Sequence, residues 1–120
     1  MFALKKNIKT IGRLKKRTDF LHVQRQGRKW VAKGLIVEVV ENQGLGIRYG
    51  LTVSKKVSKL AVLRNRLKRR LKAICVDTLP DYSAQNLDIV VIGRLTGQDR
   101  SLDVLQKDLV WCLKKMDITP

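Results

Sequence analysis

The stretch Leu51-Thr-Val-Ser-Lys-Lys-Val-Ser-Lys-Leu-Ala-Val-Leu-Arg-Asn-Arg-Leu-Lys-Arg-Arg-Leu-Lys72 reads as a strand, a turn and a helix, and it carries nine basic residues and no acid. Leu60, Leu63, Leu67, Leu71 and Ile74 recur at spacings of 3, 4, 4 and 3. That is one apolar stripe, and it predicts a helix from Lys59 to about Asp77. Arg64, Lys68 and Lys72 form an i, i+4, i+8 row away from the stripe, with Asn65, Arg66, Arg69 and Arg70 beside it. Like charges at i, i+4 destabilise a helix by about 0.2–0.5 kcal/mol per pair. The acid-free run extends from Asn42 to Val76, so nothing nearby relieves them. A helix shaped for stability alone would mix its signs. The cost makes sense if phosphates supply the missing anions, and arginine forks match phosphate oxygens in bidentate fashion.

The distribution of charge sharpens the point. The chain holds 26 Lys+Arg against 10 Asp+Glu, a net charge of +16. Residues 1–76 carry 21 basic and 3 acidic residues, and residues 77–120 carry 5 and 7, so the two parts stand at +18 and −2. The positive field belongs to the N-terminal two-thirds, where cations interleave with Leu, Val and Ile and therefore sit on folded elements. Such a field attracts nucleic acid and speeds encounter with it.

At 120 residues and 44% hydrophobic content, one self-sufficient domain is expected over 1–120, with residues 1–12 flexible. No apolar run approaches a membrane span of ~20 residues, and Met-Phe-Ala-Leu-Lys-Lys lacks a signal-peptide apolar region. A cytoplasmic location is expected. Cys75 and Cys112 stand 37 residues apart with no CxxC pair, which argues against zinc and for buried free thiols. His22 is the only histidine, and no Ser–His–Asp or Cys–His set assembles around it.

Outward from the basic helix, the elements are as follows. Residues 1–17 read as basic and irregular. Thr18 is placed to cap a short helix over Asp19–Gln26, with Asp19 in its first turn, and Gly27 to stop it. Lys29–Ala32 reads as a short strand and Leu35–Val40 as a longer one. Asn42-Gln-Gly-Leu-Gly46 is turn chemistry. Arg48–Ser54 alternates, with Tyr49, Leu51 and Val53 on one face, so it is expected to pair with Leu35–Val40 as an antiparallel hairpin. Pro80 ends the basic helix. Leu87–Gly93 is apolar throughout and predicts a strand buried on both faces. Ser101 can cap a last helix with Leu102, Leu105, Leu109, Leu113 and Met116 as its core stripe. The sum is a two-layer α+β sandwich.

The run Val53-Ser-Lys-Lys-Val57, followed by Ala61-Val-Leu-Arg-Asn-Arg-Leu-Lys-Arg69, resembles the signature of the protein subunit of bacterial ribonuclease P. Arg13-Leu-Lys-Lys-Arg-Thr-Asp-Phe20 resembles that family's N-terminal segment, and the apolar strand Asp88–Arg94 has a counterpart there. The resemblance covers about residues 13–115. It implies the order α-β-β-β-α-β-α in a ribosomal-protein-like fold with a left-handed βαβ crossover. Handedness rests on the resemblance, because strand–helix–strand units are otherwise right-handed in about 98% of cases.

The resemblance also implies a role. The chain would be the protein subunit of an endoribonuclease that removes the 5′ leader of precursor tRNA. The catalytic groups and the required Mg2+ would be held by the RNA subunit, leaving no catalytic residue, metal or cofactor on this chain. Its partners would be the catalytic RNA and precursor tRNA, with no membrane or protein partner. Arg64, Asn65, Arg66, Lys68, Arg69 and Lys72 match the helix that docks on the catalytic RNA, with lysine at 72 where arginine is common. Phe20, Gln24, Ser54, Lys55, Lys56 and Arg94 match the lining of a leader cleft between the first helix and the sheet. Gln24 stands where many members carry a second aromatic.

Other readings share the charge. A structural RNA-binding protein of ribosomal type would have the same sandwich but needs no Phe20 platform beside Ser54-Lys55-Lys56. A DNA-binding domain would need a helix-turn-helix partner for its recognition helix, and none is evident. Phe20 itself is open to two readings, a core anchor beside Val23 or a platform for a leader base.

Overall fold

The fold is organised around strand β5 (Leu87–Gly93), the middle strand of a five-stranded sheet in a computed structural model that describes residues 11–120. Six of its seven residues are buried, as a run apolar on both faces requires. On one side β5 pairs antiparallel with β3 (Leu35–Glu41), with Val37 opposite Val91. On the other it pairs parallel with β4 (Ile47–Thr52), with Tyr49 opposite Ile89. β2 (Arg28–Val31) lies outside β3, and β1 (Ile11–Arg13) lies outside β4, so the order is β1-β4-β5-β3-β2.

Helices cover the sheet. α2 (Ala61–Thr78) and α3 (Leu102–Lys115) pack on one face, where Leu67, Leu71, Leu105, Leu109 and Leu113 meet Val37, Leu51, Ile89 and Val91 in the main core. α1 (Arg17–Gln26) packs on the opposite face, where Val23 and Phe20 join Leu14, Val40, Val90 and Ile92 in a smaller cluster. The α+β class and the order of the predicted elements hold, with β1 added in front of α1.

Several expectations are corrected. β3 and β4 are not a hairpin, because β5 lies between them. A strand apolar on both faces needs a partner at each edge, so β5 displaces the direct pairing. The turn at 42–46, with positive φ at Gly44 and Gly46, spans the start of β5 instead. Asn42 N–H donates to the Asn86 carbonyl at 3.0 Å and Leu87 N–H to the Gly46 carbonyl at 3.1 Å. Residues 11–13 are not irregular but form β1, so of the flexibility expected over residues 1–12 only the part over 1–10 remains, and it lies outside the described residues.

Thr18 does not cap α1; the cap position is Lys16, with no side-chain bond. Gly27 ends α1 without a left-handed turn, at φ −86°. Its need for glycine is spatial, since a Cβ there would stand 2.4 Å from the Val23 carbonyl oxygen and 2.7 Å from that of Val39. Leu60 and Leu102 are exposed ends of their stripes. Ser101 does cap α3, its Oγ accepting from Val104 N–H at 3.2 Å. Both cysteines are free and buried.

Candidate nucleic-acid interface

The six basic-helix residues run along the side of α2 away from its apolar stripe, and the helix borders a groove on each flank. On the first, Asn65, Lys68, Arg69 and Lys72 face Leu51 of β4 and Arg13 of β1 across an open groove. Four cations and one amide line it, and no acid does. Arg13 was missed as an interface residue from sequence because β1 was not foreseen. The parallel pairing Arg13 to Tyr49 puts its guanidinium 5.2 Å from the Tyr49 ring centroid, a cation–π contact that holds it beside α2. Burial raises the Tyr49 hydroxyl pKa, and the Arg13 charge works against that rise.

On the second flank Arg66 stands with Leu63, Leu67 and Arg70 beside Gln98 and Asp99. Arg70 is a clamp: its guanidinium donates to the Gln98 carbonyl at 3.1 Å and to the Arg100 carbonyl. Arg64 is half-buried and donates to the Ser58 carbonyl at 2.8 Å, tying the approach loop to the helix. Both guanidiniums are bonded to carbonyls rather than acids, so their charge is not neutralised. α2 also lacks an acid in its first turn and a side-chain cap. Asn65, Arg66, Lys68, Arg69 and Lys72 are exposed.

The second candidate surface lies on the face that α1 covers. Phe20 is half-buried and rests on Gly50 of β4, with Val90 and Ile92 of β5 in the same cluster. Gln24, one turn further along α1, is exposed. Ser54 lies past the end of β4 and opens a tight turn, in which its Oγ accepts from Lys56 N–H at 3.2 Å and its carbonyl from Val57 N–H at 3.0 Å. This turn leaves Lys55 and Lys56 exposed. Arg94, past the end of β5, donates to the Ala32 carbonyl at 2.6 Å and borders Val31 and Trp111.

Glu38 of β3 is half-buried beside Val90, and burial raises its carboxyl pKa against the pull of Lys29. Asp88 is buried but fully engaged: Arg48 donates to both its oxygens, at 2.8 and 2.6 Å, and Asn42 donates at 2.9 Å. This bond to Asp88 raises the Arg48 pKa. Asp108 pairs with Arg100 at 3.2 Å and Asp103 with Lys107 at 3.3 Å. Among the described residues no three metal-type side chains converge, and none of the helices is long and apolar enough to cross a membrane.

Comparison with known proteins agrees along nearly the whole chain. Residues 8–117 match the family model described as Ribonuclease P. The chain is 41% identical over 111 residues to the Ribonuclease P protein component of Paramagnetospirillum magneticum, a match that covers 88% of this chain and 83% of that protein. The RNase P protein of Staphylococcus aureus superposes with a TM-score of 0.76 at 28% identity, over 90% of this chain and 97% of that one. For the RNase P protein of Thermotoga maritima the values are 0.72 and 29%, over 86% and 96%.

Proposed function

This chain belongs to the ribonuclease P protein family, and from that premise we propose that it binds a catalytic RNA through α2 and the 5′ leader of precursor tRNA through the Phe20 face. The observation that carries the reading is the acid-free groove of Arg13, Asn65, Lys68, Arg69 and Lys72. A groove lined by cations from two elements follows a phosphate backbone, and counterion release drives the binding.

The mechanism is one of holding and positioning. Phosphates of the catalytic RNA enter the α2–β1 groove. The single-stranded leader runs over Phe20, where a base stacks, and its backbone meets Lys55 and Lys56. Both contacts raise substrate affinity and fix the scissile phosphodiester against the RNA catalyst. Mg2+ held by the RNA would supply water activation, with no residue of this chain as its ligand. The carboxylates of Asp88 and Asp108 are engaged by Arg48 and Arg100 and do not fit a Mg2+ site. No step passes through a metal on this chain.

The test is reconstitution. RNA that co-purifies with the protein is sequenced and combined with it and a precursor tRNA. One abundant non-ribosomal RNA that cleaves the leader faster with the protein present supports the reading. Ribosomal RNA as the sole companion, with no stimulated cleavage, supports the ribosomal-type scaffold instead. The protein alone is expected not to cleave.

A further inference from the structure

At the edge of the sheet opposite the α2–β1 groove, Trp30 of β2 and Trp111 of α3 meet edge to face, their ring centroids 6.1 Å apart at 70°. Both rings remain open, at 38% and 43% exposure. Beside them runs a groove of about 580 Å³ lined by Val31, Ala32, Lys33, Arg94, Lys107 and Asp108. The Lys115 ammonium stands 5.9 Å from the Trp111 ring. Four cations thus surround the rings, and the one acid in the groove, Asp108, is held by Arg100 and by the Gly34 N–H. Lys107 is paired with Asp103, but both are largely exposed and the pair is weak.

The core does not require this arrangement. Leu105, Leu109, Cys112 and Leu113 already seat α3 on the sheet, and the two indoles lie outside them. A second copy of the chain is a poor occupant, since a net charge of +16 repels its like. Exposed aromatic faces among lysines and an anchored arginine suit a strand that offers flat bases and phosphates together.

We propose that the Trp30–Trp111 edge is a third RNA site, beyond the α2–β1 groove and the Phe20 face, that takes a single-stranded segment, bases on the indoles and phosphates on Lys33, Lys107 and Lys115. The sheet order sets β1 and β2 at opposite edges, so this site is separate from the α2–β1 groove. It binds RNA whether or not the chain assembles with a catalytic RNA.

The chain supplies its own reporter, because Trp30 and Trp111 are its only tryptophans. The full-length protein is titrated with an oligoadenylate of about ten nucleotides, within the range one such surface accommodates. Tryptophan emission and the anisotropy of a dye on the RNA are followed together. Saturable quenching is expected. In Trp111→Ala, Trp30 still reports, and the quenching midpoint should move to roughly five- to 150-fold higher RNA, with Trp111→Phe moving less. The exposure of Trp111 lets both variants fold, which circular dichroism checks. Anisotropy that reports binding while emission stays constant overturns the proposal, and so does an unmoved midpoint in Trp111→Ala. Protein that self-associates without RNA, with a matching change in emission, overturns it too and assigns the patch to a second copy.

Discussion

Phe20 of α1 rests on Gly50 of β4 so closely that a Cβ at residue 50 would stand 2.5 Å from its Cζ and 2.6 Å from its Cε2. The glycine sets the height of the ring above the sheet, and the ring sets the floor of the proposed leader cleft. Gly50→Ala therefore has to lift the ring. Thermal denaturation should show a loss of about 1–3 kcal/mol, the usual cost of overpacking.

Removing the ring separates stability from recognition. Base stacking on an aromatic is worth about 1–3 kcal/mol. Phe20→Ala should therefore weaken holoenzyme binding of leader-bearing precursor by roughly five- to 150-fold. Mature tRNA has no leader, and its affinity should barely change. Equal losses for both would make Phe20 a core residue only. Gln24 offers no second ring to share the load.

The two flanks of α2 give a graded series. Arg66→Ala should weaken assembly with the catalytic RNA and leave the melting temperature alone, since Arg66 is exposed. Arg64→Ala should weaken assembly and also loosen the loop at Ser58, which hydrogen exchange would register as faster amides over 54–60. Leu67→Ala, in the main core, should cost about 2–5 kcal/mol on denaturant unfolding. A folded Leu67→Ala of unchanged stability beside an unfolded Arg66→Ala would mean the faces are reversed.

Assembly should fall steeply with salt. If α2 and Arg13 contribute about 6–10 phosphate contacts, affinity drops about 10³–10⁵-fold between roughly 50 and 200 mM salt on duplex DNA, and somewhat less on RNA. A filter-binding titration across salt gives the slope directly, and a flat response would remove the groove from the interface.

Alkali should destabilise the fold. Burial pushes the Cys75 and Cys112 thiols up to about 12 and also raises the Tyr49 and Tyr82 hydroxyls. The unfolded chain then loses these protons first, so it binds fewer of them than the folded one, and stability falls as pH rises. For the thiols the loss begins near pH 9 and runs to about 12. Denaturant midpoints measured across that window should decline, and Cys75→Ala with Cys112→Ala should flatten part of the slope. The same burial should keep both thiols slow toward iodoacetamide at pH 8 until the protein is unfolded.

Much of this was legible in the sequence where one periodicity decided the outcome. The Leu67–Leu71–Ile74 stripe, the Ser101 cap and the doubly apolar β5 all lie where their patterns put them. The pairing of strands was not legible, because alternation in Arg48–Ser54 fixes a buried face and says nothing about which neighbour completes the ladder. β1 escaped for a related reason: Ile11-Gly-Arg13 is too short to show a period, and only the register with Ile47–Tyr49 makes it a strand. With it went Arg13. The role of Arg70, which lies outside the docking set, was not legible either, because its clamp depends on the carbonyls of Gln98 and Arg100 in the loop at 97–100.

The central place of β5 bears on how the chain comes to be folded during its synthesis. Before residue 87 leaves the ribosome, β3 has only β2 and β4 has only β1, two ribbons with no ladder between them. The acid-free run 42–76 is complete by then, still without a sheet to lie on. A nascent chain in this state is a polycation, and pairings of such long sequence separation close slowly. An RNA that binds the finished fold better than the open chain draws the equilibrium toward closure by mass action. The RNA partner would then serve as a folding template as well as a binding target, and the yield of native protein would depend on its supply.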